Sequence, residues 1–178
     1  MGRLGLVCAL LAGALMGCAA EDSEAIAVAL AQENARALAG VEKISRSLDP
    51  LDLASRGFGE GVDEVERASR ALGSLETDAR ASRAQSLLAV LLEARVWDDT
   101  VRAIEEVDLS TYEPKQQELL RNLLREKAFP ARVAASNAYQ RALRLACRSG
   151  TDEHLPEILD GVARYDGEAR PLESACRE

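Results

Sequence analysis

Leu87-Leu88-Ala89-Val90-Leu91-Leu92-Glu93-Ala94-Arg95-Val96-Trp97-Asp98-Asp99-Thr100-Val101-Arg102-Ala103-Ile104 is the stretch on which the fold turns. Leu87, Val90, Ala94, Trp97, Val101 and Ile104 recur at alternating spacings of three and four, which is the α-helical period. Leu88, Leu91 and Leu92 widen the stripe, so the middle of this helix is expected to be buried on most sides. Starting near Thr77 or Asp78, it would span roughly 45 Å at about 1.5 Å per residue and form the spine of a bundle. The carboxylate pairs Asp98-Asp99 and Glu105-Glu106 are expected on exposed helix faces.

Outward from this spine the same period recurs on both sides. Upstream, Leu30, Ala37, Val41, Ile44 and Leu48 are spaced by three, four or seven, with Glu33, Arg36 and Lys43 between them. Asp22 and Ser23 are candidate caps, and Asp49-Pro50 a stop. Gly57, Gly59 and Gly61 predict a flexible connection, because glycine accepts any turn geometry. A phosphate-binding loop is excluded: the Walker lysine and the full Gly-x-Gly-x-x-Gly spacing are absent. Val62, Val65, Ser69 and Leu72 predict a second helix ending at Gly73-Ser74.

Downstream, Ser110 and Glu113 have capping-box spacing, and Pro114 suits a first turn, where its missing N–H costs nothing. Leu119, Leu120, Leu123 and Leu124 open a fourth helix, in which Pro130 predicts a kink or break near Phe129. Ala135, Ala138, Ala142 and Leu145 then form a small-residue seam, closed by Ser149-Gly150. A fifth helix, capped by Thr151 or Asp152, buries Leu155, Ile158, Leu159 and Val162, with Tyr165 a further candidate for that face and Pro156 in its first turn. The fold class is therefore all-α, an antiparallel bundle of about five helices over residues 22–166. Residues 132–165 have the length of one tetratricopeptide-like unit, but its patterned residues are out of register and no second copy occurs.

The chain has 178 residues, enough for one domain with a sizeable core, and only 3% are aromatic, so that core must be aliphatic and closely packed. Its net charge of -8 disfavours a grip on nucleic acid or on an anionic lipid surface. Arginine supplies nearly all of the 22 basic residues. A GC-rich genome is the plainer cause, with phosphate or carboxylate recognition the alternative.

The chain opens with Arg3 and the uncharged run Leu4–Met16, too short for a stable transmembrane helix, which needs about 20 residues, but suited to an export signal. N-myristoylation is excluded by Leu6, where that motif wants Ser or Thr. Leu15-Met16-Gly17-Cys18 closes the run and resembles the lipobox of bacterial lipoproteins. The resemblance implies a signal peptide over 1–17, lipidation of Cys18 with acyl chains such as palmitate, and a short tether over 18–21. It also implies membrane attachment through those chains, each methylene contributing about 0.8 kcal/mol. Ala19, rather than Asp, after the cysteine implies the periplasmic face of the outer membrane. The alternative is ordinary cleavage after Ala20, releasing an unanchored protein.

Removal of Cys8 and lipidation of Cys18 leave Cys147 and Cys176, which in an oxidising compartment most simply pair and tether the C-terminal tail, 167–178. A redox or metal pair is the alternative, though no Cys-x-x-Cys is present. His154, the only histidine, stands with Glu157 one turn on; this pair can share a helix face toward a metal, or be a solvated helix start. Arg141, Arg144 and Arg148 make a basic stripe that suits either an anionic partner or solvent. No catalytic, cofactor or metal set is complete, so the chain is not expected to be an enzyme. The expected function is that of a lipid-anchored, noncatalytic helical envelope protein, an interaction or structural module with an envelope protein partner. The alternative is a periplasmic carrier or sensor taking a lipid or small apolar ligand between its helices.

Overall fold

The computed structural model describes residues 4–150, 153–166 and 176, with side chains over 21–150, 153–165 and at 176. Among these, five α-helices form: α1 (Leu4–Ser47), α2 (Arg56–Glu76), α3 (Arg83–Glu105), α4 (Pro114–Ser149) and α5 (Leu155–Asp166). The all-α bundle expected from the periodicity is the fold. Among the described residues no helix is long and apolar enough to cross a membrane. Leu15, Gly17 and Cys18 lie outside the described side chains, as do Thr151, Asp152 and the tail over 167–175.

The central stretch behaves as its pattern predicts. On α3 eleven residues from Leu87 to Ile104 are buried, and the helix packs against α1, α2 and α4, with Leu87, Val90, Leu91 and Ala94 also sharing a core with α5. The helix starts later than expected, at Arg83, because Ser82 and Gln85 form a capping box: Ser82 N–H donates to Gln85 Oε1 at 2.9 Å and Gln85 N–H to Ser82 Oγ at 3.2 Å. Its length is accordingly about 35 Å.

The glycine stretch is a correction. Gly57, Gly59 and Gly61 lie inside α2, which Ser55 caps by accepting the Phe58 N–H. Phe58, Gly61, Val65, Ala68 and Leu72 form one buried face at spacings of three and four. A Cβ on Gly61 would stand 2.9 Å from the Gly40 carbonyl oxygen, and one on Gly40 would stand 2.9 Å from that of Gly61. The glycine at 61 lets two backbones touch; it does not make a turn. Lys43 Nζ, 2.7 Å from Glu60 Oε2, reinforces the same antiparallel α1/α2 crossing. Asp22 and Ser23 lie within α1 and do not cap it. The Ser23 carbonyl instead accepts from Gln85 Nε2 at 2.8 Å, joining α1 to the start of α3.

Two further expectations are revised on α4. Its first turn is closed by Gln116 Oε1 accepting the Glu113 N–H at 3.2 Å, rather than by a Ser110–Glu113 box. The helix also continues through Pro130, so of the kink or break expected near Phe129 the break does not occur. Leu120, Leu124 and Ala128 before the proline, and Ala131, Ala135 and Ala138 after it, are buried, so packing on both sides holds the helix across the missing hydrogen bond. Gly150 ends α4 in the left-handed conformation (φ 65°), as expected. Cys147 and Cys176 are placed at disulfide distance, with Cα atoms 5.3 Å apart.

Candidate functional site

Polar side chains along α3 reach the neighbouring helices and form an ionic seam. Toward α2 and α4, Glu93 accepts from Ser69 Oγ at 3.0 Å and from Arg141 Nη2, while Ser69 Oγ accepts from Trp97 Nε1 at 3.1 Å. Arg141 Nε also lies 3.3 Å from Glu76 Oε2, without hydrogen-bond alignment. Near the end of α3, Glu105 accepts from Arg132 Nε at 2.6 Å.

Toward α5, Arg95 donates to both oxygens of Glu157, at 2.5 and 2.6 Å. Asp98, 4% exposed, accepts from Arg164 Nη1 at 2.7 and 2.6 Å, from Arg102 Nη2 and from Tyr165 Oη. The expectation that Asp98-Asp99 is a solvated pair fails at Asp98. Its position four residues after Ala94 and three before Val101 is a sequence signal that it shares their buried face. Glu105 is likewise drawn into a pairing.

These environments split the carboxylates into two kinds. Burial pushes Asp98 upward, but hydrogen bonds from Arg164 and Tyr165 and the charges of Arg164 and Arg102 outweigh it and hold the group below the usual range. For Glu93 burial prevails over Arg141 and Ser69, and the group is raised. Asp99 is raised as well, chiefly by burial. Burial, with Asp98 and Glu157 nearby, pushes the Tyr139 hydroxyl up to about 12. The cleft over this cluster holds about 440 Å³ and is lined by Arg95, Asp99, Arg102, Asp160 and Arg164 among others. Its arginines Arg95, Arg102 and Arg164 are bound to the carboxylates of Glu157 and Asp98, and these pairs join α5 to α3.

A second concavity is different in kind. Leu53, Phe58, Val62, Trp97, Ile104 and Pro130 wall a groove of about 410 Å³ between α2, α3 and α4. It adjoins a depression of about 500 Å³ beside Pro50, Leu51 and Leu123, the two sharing Leu53, Ala54, Glu126 and Lys127. Periodicity indicated that Trp97 was a core residue, but not that it borders an open groove.

The remaining candidates are dispersed. The carboxylate of Glu157 is taken up by Arg95, leaving His154 without it as a co-ligand. No group of three His, Cys, Asp or Glu able to hold a metal occurs among the described residues. The basic stripe is broken, since Arg141 turns into the seam while Arg144 and Arg148 are exposed. In comparisons with protein-family models, with curated proteins and with solved structures, nothing matched this chain.

Proposed function

We propose that this chain is a lipid-anchored, noncatalytic helical protein of the bacterial envelope, held through Cys18 at the periplasmic face of the outer membrane and acting as an interaction or structural module. The observation that carries the reading of the body is the use of its ionic groups. Asp98 with Arg164, and Arg95 with Glu157, are engaged in pairings that join α3 to α5. The lipobox-like Leu15-Met16-Gly17-Cys18 supports the anchor.

Two measurements test the two halves. Wild-type protein is expected to stay with membranes after high-salt washing, and Cys18→Ser to be released; retention of the variant would overturn the anchor. Crosslinking in the native envelope is expected to give a reproducible protein partner, and repeated absence of one would remove the interaction role.

The groove beside Trp97 favours a second reading, a carrier of a lipid or small apolar ligand. Native mass spectrometry of gently purified protein distinguishes it: a copurifying ligand supports a carrier, and none counts against it.

A further inference from the structure

We propose that the groove bounded by the α1–α2 connection, α2 and α4 docks a cationic amphipathic helix of a partner protein, apolar face inward. This rests on the reading of the chain as an interaction module and names the surface and the partner's chemistry.

The apolar half of the argument is the groove itself, walled by Leu53, Phe58, Val62 and Pro130 with Trp97 facing it. Leu51 is 73% exposed and Leu123 45% at its open end. Side chains spaced along a channel of this kind are what an amphipathic helix engages with anchors at i, i+3 or i+4 and i+7. On α4, the channel wall from Leu123 to Ala131 is about two and a half turns long.

The charged half decides which occupant fits. Asp52, Asp63 and Glu126 stand along the rim, and among the described residues no salt bridge or side-chain hydrogen bond engages their carboxylates. The cation at the rim, Lys127, lies 5.1 Å over the Phe58 ring. A second copy of this chain, itself at net charge -8, would set these carboxylates against like charge. An anionic lipid surface meets the same repulsion. Lys or Arg flanking an apolar stripe supplies the missing charge, and such complementarity sets partner choice and association rate.

Trp97 is the sequence's single tryptophan and reports directly on the groove. The purified full chain is titrated with a synthetic Leu/Lys amphipathic peptide lacking tryptophan, and with its Leu/Glu counterpart. The expected result is a saturable change in Trp97 emission with the Leu/Lys peptide alone, weakened by salt. The exposed-site variants Leu123→Ser and Asp63→Asn/Glu126→Gln should each bind roughly tenfold more weakly. Absence of a saturable change, equal binding of the Leu/Glu peptide, or unchanged binding by both variants would overturn the proposal. So would a larger response to phosphatidylglycerol vesicles, which would make the occupant a membrane surface. Photocrosslinkers placed in the native envelope at Leu123, and at Leu38 on α1 outside the groove, separate this proposal from the reading beneath it. Products from Leu38 only would remove the groove and keep the interaction module; products from neither would remove both.

Discussion

The ring of Tyr139 on α4 lies directly against Gly161 on α5: a Cβ built on that glycine would fall 2.4 Å from Tyr139 Cδ1. Tyr139 is 3% exposed and stacks on Tyr165, centroids 6.3 Å apart, so a ring pushed aside by that Cβ would give up this stacking. Gly161→Ala is therefore expected to displace α5 and destabilise the protein by about 2 kcal/mol. Chemical denaturation measures it; an unchanged midpoint would show that the ring can move aside.

The buried carboxylates Asp98 and Glu93 should have opposite pH signatures. Asp98 has a lowered folded pKa, so its stabilisation is present above the unfolded value and is lost as pH falls through the folded one. Glu93 has a raised folded pKa, so the folded chain holds its proton longer and stability declines as pH rises from the unfolded toward the folded value. Asp98→Asn should cost about 2 kcal/mol near neutral pH, the half-exposed arginines keeping it below the range of a fully buried pair. As pH rises toward about 4, the unfolded aspartate value, the Asp98→Asn variant should lose ground to the wild type, and above about 4.3, the unfolded glutamate value, Glu93→Gln should gain it. Parallel stability profiles for the two variants would refute the split.

The pairing of Cys147 with Cys176 closes a loop of 29 residues in sequence separation that encloses α5. Chain-entropy arithmetic for such a loop gives about 3.5 kcal/mol. The double variant Cys147→Ser/Cys176→Ser should unfold at correspondingly lower denaturant, and reductant should shift the wild type but not the variant. Identical wild-type curves with and without reductant would argue against the bridge.

Pro130 offers a substitution in the other direction. Within a continuous α4 it leaves the Glu126 carbonyl without its helical N–H donor. Pro130→Ala restores that bond and should stabilise by about 1–3 kcal/mol, read as a raised melting temperature. A fall would mean that the ring's contacts along the groove outweigh the backbone bond.

Periodicity revealed α3 because eighteen successive residues carry one burial pattern, and capping chemistry located Pro114 and Gly150 because both act within a turn of themselves. The errors share a cause. Gly61 looks like a turn residue until Gly40, on another helix, takes the place its Cβ would need. Asp98 looks solvated until Arg164 and Tyr165, more than sixty residues away in sequence, arrive beside it. The groove was similarly illegible, since its walls come from three helices and the α1–α2 connection, far apart in sequence.

The antiparallel pairings Glu105–Arg132 and Glu93–Arg141 carry one more implication for α3 and α4. Beyond Leu120 and Leu124, and Tyr139 apart, the buried face of α4 is a row of alanines at 128, 131, 135, 138, 142 and 146, whose uniform shape does little to distinguish one register from another a turn away. Such a shift would strand Arg132 and Arg141 away from their carboxylates at both ends of the interface at once. The seam thus acts as an indexing device: alanine permits the close fit, and charge selects which of several equivalent fits the chain adopts.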